Sequence, residues 1–72
     1  MQYLVVIERV ENNYSAYLLD LPGCVATGRT PEETIERIAK AVDMHIKGLE
    51  EDGLPIPAPT AKAEYLNLKQ AS

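Results

Sequence analysis

The side chains that most often carry out chemistry are sparse in this sequence of 72 residues. Cys24 is the one cysteine and His45 the one histidine, so an internal disulfide cannot form and a cysteine–histidine metal site is not expected. Cys24 has no second thiol and no neighbouring basic cluster to activate it, which favours a buried, inert side chain. His45 falls near the edge of the apolar stripe of a predicted helix, with no identifiable nucleophile or orienting carboxylate. The sequence therefore predicts no catalytic residue, no metal ligand and no cofactor.

The overall charge bears on the choice of partner. The formal net charge is −4 and the pI is about 4.8. An acidic surface repels phosphate backbones, so direct nucleic-acid binding is not expected without an added DNA-binding module, whereas a basic protein is a suitable partner. The first ten residues lack a basic leader and a small-residue cleavage site, and no apolar run approaches a membrane span. We therefore expect a cytoplasmic protein that does not associate with a membrane.

Residues 19–33, with the sequence LDLPGCVATGRTPEE, hold most of the specialised residues of the chain. Pro22 and Gly23 suit the second and third positions of a type II turn. Asp20 can accept hydrogen bonds from backbone N–H groups at the mouth of that turn. These residue types predict a sharp reversal of the chain between two strands.

The second half of the same stretch predicts a strand followed directly by a helix. Cys24 and Gly28 lie on a strand face that carries only small side chains, which lets a helix approach the sheet closely. Thr30 is a suitable N-cap and Glu33, three residues later, completes a capping box. The helix is expected to span about residues 31–51. Structural roles are therefore expected for seven residues of this stretch, called the motif residues below: Asp20, Pro22, Gly23, Cys24, Gly28, Thr30 and Glu33.

The pattern of apolar runs and turn residues predicts a single domain over residues 1–72, with strands at about 2–10, 14–19, 24–29 and 62–68 and one helix at about 31–51. The order β-β-β-α-β is an α+β fold. The first strand is apolar on both faces, so we expect it to be central, in a four-stranded mixed sheet of order 3-2-1-4 with the long helix on one face. The other face lacks a cover and a domain of this size is marginal alone, which predicts a homo-oligomer, either dimer or tetramer.

The pattern DLPGC-x3-G-x-T-x-EE, followed by an amphipathic helix and by EDGLPIPAPT, resembles the N-terminal domain of HicB-type antitoxins over residues 14–60. The resemblance implies a degraded ribonuclease-H-like fold. It also implies a small basic toxin of the HicA type as partner, an enzyme that cleaves messenger RNA with a catalytic histidine and whose active site the antitoxin blocks. The resemblance does not assign the residues of this chain that contact the toxin.

The resemblance leaves alternatives open. Many members of the family continue into a DNA-binding module, whereas this sequence stops at Ser72, so we expect a short form without that module. An orphan homo-oligomeric regulatory or binding protein, with no toxin partner, is the alternative to an antitoxin. A dimer could bind DNA directly by gathering four basic residues into one patch, although the net charge argues against it. These residues are Arg9, Arg29, Arg37 and Lys40.

A ribonuclease-like fold also raises the question of nuclease activity. Metal-dependent nucleases need several carboxylates that converge on metal ions. Glu8, Asp20 and Glu64 are the acidic residues on or near the predicted strands, and Asp20 already has a role in the turn. We therefore do not expect an enzyme.

Overall fold

The structure, a computed structural model, describes residues 1–69. Three strands precede one helix along the chain: β1 (Val5–Val10), β2 (Asn13–Leu18), β3 (Val25–Gly28) and α1 (Pro31–Glu51). The strands form an antiparallel sheet in the order β1-β2-β3. No helix within residues 1–69 combines the length and the apolar character that a membrane span needs.

A two-residue loop joins β1 to β2. Val10 pairs with Asn13, so Glu11 and Asn12 form the connection. Glu11 takes the positive φ of this loop, 54°, although asparagine tolerates that conformation better. The turn therefore lies where the sequence indicates, but the residue in the left-handed region is the glutamate.

The core lies between α1 and one face of the sheet. Alternation along the strands puts Val5 and Ile7 of β1 on the same face as Ala16 and Leu18 of β2, and α1 packs mainly over β2 and β3. Within residues 1–69 the buried apolar side chains are five: Ala16, Leu18, Leu21, Cys24 and Ile38. A core this small leaves much apolar surface at its margins, as expected for a domain of this length.

The C-terminal end of α1 closes with a Schellman motif. The amide of Leu54 donates to the Leu49 carbonyl at 2.9 Å, and the amide of Gly53 donates to the Glu50 carbonyl at 3.1 Å. The proline-rich segment that follows returns to the sheet, where the Tyr3 hydroxyl donates to the Pro57 carbonyl. This return brings Ala61 beside residues 2–4, next to the start of β1.

The predicted fourth strand is absent, so the four-stranded mixed sheet of order 3-2-1-4 is wrong. Residues 62–69 pair with no strand, and Tyr65, Leu66 and Leu68 are 103%, 81% and 81% exposed. Their composition favours a strand, but strand formation also depends on a partner edge and on packing against a face. The segment instead leaves the domain. The Cα radius of gyration is 15.0 Å, whereas a compact chain of this length has about 11 Å.

The missing strand changes the position of β1. With the order β1-β2-β3, β1 is an edge strand rather than a central one, and within residues 1–69 one of its edges pairs with no other strand. The face opposite α1 also carries apolar side chains, since Val6, Tyr17 and Val25 are cross-strand neighbours there. Val25 is 67% exposed.

Candidate functional site

The turn between β2 and β3 is built by residues 21–24. The amide of Cys24 donates to the Leu21 carbonyl at 3.2 Å. Pro22 occupies the second position of this turn, and Gly23 occupies the third with φ of 93°, a value that side-chain-bearing residues rarely adopt. Leu21 and Cys24 are both buried, so both ends of the turn are anchored in the core.

Asp20, directly before this turn, binds the segment that follows α1. Its Oδ2 accepts hydrogen bonds from the backbone amides of Thr60 and Ala61, each at 3.1 Å. Its Oδ1 accepts a third from the Thr60 hydroxyl at 3.0 Å. The Ala61 amide, with the two donors of Thr60, lowers the pKa of the Asp20 carboxyl below its ordinary value, because these bonds favour the charged form. Asp20 therefore acts as a clamp between β2 and the end of the proline-rich segment.

The single thiol lies in the core. Cys24 is 4% exposed, and burial raises the pKa of its thiol because the thiolate is poorly solvated there. A reactive cysteine requires the opposite, an accessible thiolate stabilised by positive charge. The arrangement is that of a small apolar side chain in the core.

Gly28, the last residue of β3, lies very close to the first turn of α1. A Cβ atom added there would lie 2.5 Å from Thr34 Oγ1 and 2.9 Å from the Thr34 amide nitrogen. Thr34 is fully buried, and its hydroxyl donates to the Thr30 carbonyl at 2.7 Å. The absence of a side chain at residue 28 therefore sets how closely the first turn of α1 packs against β3.

The start of α1 is capped by two side chains. Thr30 Oγ1 accepts the Glu33 amide at 3.0 Å. The Glu33 carboxylate accepts from the amide of Arg29, the residue before the N-cap, at a long 3.4 Å. In a capping box the glutamate accepts from the amide of the N-cap residue, which here is Thr30. Glu33 instead accepts from Arg29, one residue earlier.

Arg37, named above only as a member of a possible basic patch, connects the first turns of α1 to β3. One guanidinium nitrogen lies 3.0 Å from Glu33 Oε1 and another donates to the Thr27 carbonyl at 2.9 Å. The i,i+4 spacing of Glu33 and Arg37 was the available signal for the ion pair. The contact with β3 has no local signal, because it joins residues of different elements.

The motif residues therefore fall into two groups at opposite ends of β3. The first consists of Asp20, Pro22, Gly23 and Cys24, and the second of Gly28, Thr30 and Glu33. Among residues 1–69 there is no group of three histidine, cysteine or carboxylate side chains that could hold a metal ion. His45 and Glu64 are exposed, and neither is among the observed hydrogen-bond partners of Asp20.

An apolar groove lies between the start of β1 and α1. Its volume is about 270 Å³, and its lining includes Tyr3, Val5, Ile35, Ile38, Ala39 and Val42. Ile35 is 48% exposed there. The sheet therefore does not cover the whole apolar stripe of α1, and Ile35 lies at the uncovered margin. The sequence gives no sign of the groove, because the predicted fourth strand would lie beside β1 and cover it.

Comparison with known proteins places the chain in a family. The family model described as HicB-like antitoxin of bacterial toxin-antitoxin system matches residues 3–71. A 14.9 kDa protein from the rep-hol intergenic region of Haemophilus phage HP1 is 33% identical over 93% of this chain and 50% of its own length. A UPF0150 protein of Helicobacter pylori is 41% identical over 68% of each chain, and one of Thermoplasma acidophilum is 32% identical over 86% of this chain and 91% of its own.

One solved structure extends the similarity to three dimensions. A chain of the structure described as the HicA3 and HicB3 toxin-antitoxin complex superposes with a TM-score of 0.69 at 27% identity, over 83% of this chain and 70% of that one. This chain spans about half the length of the phage relative. The match to the family model covers nearly all of residues 1–69 and agrees with the structural likeness. The chain belongs to the HicB-like antitoxin family of bacterial toxin–antitoxin systems.

Proposed function

We propose that this chain is the antitoxin of a type II toxin–antitoxin system, and that it binds and neutralises a small basic toxin of the HicA type that cleaves messenger RNA. The observation that carries the proposal is the likeness, at 27% identity, to a chain from a complex described as HicA3 with HicB3. The family match over residues 3–71 supports the same role. The function is binding rather than catalysis, exerted in the cytoplasm, where messenger RNA is translated.

The charge distribution supports a basic partner. The net charge is −4, and the last turn of α1 contains no basic residue. Glu50, Glu51 and Asp52 are exposed at this end, where the partial negative charge of the helix dipole disfavours further negative charge. A cationic protein docked nearby relieves this repulsion and gains electrostatic steering from the rest of the surface. Acidic residues at this end are therefore suited to attract a basic toxin.

The internal ion pairs leave those carboxylates available. Arg37 pairs with Glu33, and Lys47 pairs with Asp43 at 3.0 Å. Both pairs are largely solvent-exposed, so each contributes little to stability. The basic residues of α1 in these pairs are therefore directed to carboxylates within the helix, away from its acidic end.

The proposed assembly also includes a second copy of the chain. The buried core is small, and exposed apolar side chains occur on β3, on α1 and in residues 62–69. Burial of such surface between copies stabilises small domains. A homo-oligomer with the toxin bound to it is the form that we propose for the active antitoxin.

The direct test is inhibition of RNA cleavage. A HicA-type toxin encoded beside the gene for this chain is incubated with labelled messenger RNA and increasing amounts of the purified chain. We expect cleavage to stop at a fixed stoichiometric ratio, and the complex to weaken as salt is raised. A toxin with its catalytic histidine replaced serves as the control, because it should still bind the chain but cleave nothing.

The opposite results would reject the proposal. Undiminished cleavage and no complex at micromolar concentration would show that the chain does not neutralise that toxin. If the chain were nevertheless a stable homo-oligomer, the alternative of an orphan regulatory or binding protein would replace the antitoxin proposal.

A further inference from the structure

We propose that residues 62–69 form a docking arm that pairs with the open edge of β1 in a second copy of the chain, the two copies exchanging arms reciprocally. This inference rests on the proposed homo-oligomer and specifies how it assembles. It differs from the intrachain strand that the structure rules out, because donor and acceptor belong to different molecules. It is independent of the toxin.

The docking arm has the composition of a strand but is unpaired in the single chain. Tyr65 is 103% exposed, and Leu66 and Leu68 are each 81% exposed. In an extended segment alternate residues face the same side, so Leu66 and Leu68 share one face and Tyr65 lies on the other. Large exposed apolar groups in such a row indicate a contact surface rather than a solvated tail.

The acceptor is the edge of β1 together with the groove beside it. Within residues 1–69 β1 pairs with β2 alone, so the backbone groups on its outer edge can pair with another strand. The groove next to this edge is lined by apolar side chains, including Val5, Ile38 and Val42. A strand added to β1 would place one of its faces over this groove, and the face with Leu66 and Leu68 matches its apolar lining.

The dimensions also agree. β1 has six residues and therefore spans about 20 Å, while eight extended residues span about 26 Å. The docking arm can thus cover the whole of β1. It starts at Ala61, which the Asp20 clamp holds in place, so its point of departure from the domain is defined.

The charge of the docking arm favours a second copy over a basic toxin. The arm contains Lys62 and Lys69 but one acidic residue, Glu64, in a chain whose net charge is −4. Its net charge is therefore opposite to that of the rest of the chain. A second copy attracts the arm, whereas a basic partner repels it.

Reciprocal exchange also accounts for both unsatisfied features at once. Each copy supplies one arm and one open edge, so a two-fold dimer leaves neither free. Pairing with any other protein would satisfy one of the two. The exposed edge and the exposed leucines are therefore complementary parts of the same chain.

The first test measures the molar mass of variants in solution. The substituted leucines are exposed in the single chain, so their replacement should not disturb its folding. The parent chain is compared with the double variant Leu66→Ser, Leu68→Ser and with the control Leu19→Ser, which removes another exposed leucine outside the arm. Multi-angle light scattering is recorded across a dilution series. We expect a dimer for the parent and the control, and dimerisation weaker by at least about 100-fold for the double variant.

The second test identifies which copy contributes the docking arm. A sample that mixes ¹³C-labelled and unlabelled chains is examined by isotope-filtered NMR. We expect contacts between the methyl groups of Leu66 or Leu68 in one copy and those of Val5 or Ile38 in the other. Contacts confined to a single copy, or none, would overturn the exchange.

The remaining outcomes separate this inference from the proposals on which it depends. A parent chain that is monomeric throughout overturns both the homo-oligomer and the docking arm. A dimer that survives Leu66→Ser, Leu68→Ser unchanged overturns the arm alone. If the double variant stays dimeric but no longer binds a toxin that the parent binds, the arm contacts the toxin and the exchange is wrong.

Discussion

Asp20 binds Thr60 at two points across 40 residues of sequence: the backbone amide lies 3.1 Å from Oδ2 and the hydroxyl 3.0 Å from Oδ1. The residue before the Pro22–Gly23 turn is thereby connected to the segment after α1. Asp20, whose place before the turn suggests a local role, thus holds the point at which the chain leaves the domain. Asp20 and Thr60 are part of the clamp that positions the start of the docking arm.

Replacing Asp20 with alanine should release the proline-rich segment while leaving the sheet and α1 folded. The three hydrogen bonds at Thr60 and Ala61 disappear, so these amides should exchange with deuterium faster. Hydrogen exchange followed by NMR measures the effect residue by residue. The matched control is Asp43→Ala, which breaks an exposed ion pair with Lys47 and should leave both amides unchanged.

The same clamp predicts a dependence on pH. The pKa of Asp20 is lowered in the folded chain, mainly by the Ala61 amide, so the ionised carboxylate stabilises the fold above its ordinary pKa of 3.8. This stabilisation is lost as the pH falls through the lowered value. The difference in free energy of unfolding between the parent and Asp20→Ala should be constant from pH 5 to 7 and shrink below 3.8. A difference that already shrinks near neutral pH would assign the effect to another group.

Gly28 and Gly48 should respond in opposite directions to the same substitution. Alanine at residue 28 places a methyl group against Thr34 Oγ1 and its backbone, which should destabilise the fold by about 1–3 kcal/mol. Alanine at residue 48 lies inside α1, and apart from the adjacent helix backbone no atom would lie within 4 Å of the new methyl group. This substitution should stabilise the fold by about 0.8–1 kcal/mol. Urea denaturation of both variants measures the two changes. A neutral Gly28→Ala would show that α1 can shift away from β3 at little cost.

The sequence predicts the parts of this fold that depend on neighbouring residues. The Pro22–Gly23 turn and the Thr30 cap follow from contacts within three residues, and both types of contact occur. The clamp at Asp20 joins residues far apart in the chain, so its partners, Thr60 and Ala61, carry no local signal.

The error over residues 62–68 has the same origin. Apolar and aromatic residues express a preference for extended structure, but whether a strand forms depends on the edge that is offered to it. The sequence shows that Leu66 and Leu68 suit a strand and that β1 suits a partner on each side. It does not show whether both belong to one molecule. The groove beside Val5 is open because residues 62–69 do not pair with β1 of their own chain, where they would have covered it.

Charge removal at the two ends of α1 separates stability from partner binding. Glu32 lies in the first turn, where its charge favours the helix dipole, and Glu51 is the last residue, where its charge opposes it. Glu32→Gln should therefore lower the free energy of unfolding, and Glu51→Gln should raise it, each by about 0.3–1 kcal/mol. Both side chains are exposed, so little else changes. Chemical denaturation at low salt measures both shifts, which should diminish as salt is added.

Toxin binding should not follow that pattern of stability. Each of the two substitutions removes one negative charge from a chain of net charge −4, so both should slow association with a basic toxin at low salt. Glu51→Gln should slow it more if the acidic end of α1 faces the toxin, even though this variant is the more stable of the two. Stopped-flow association at two salt concentrations measures the rates, with the parent chain as reference. Equal rates for all three proteins would show that these charges do not guide the toxin, and that the neutralising surface lies away from α1.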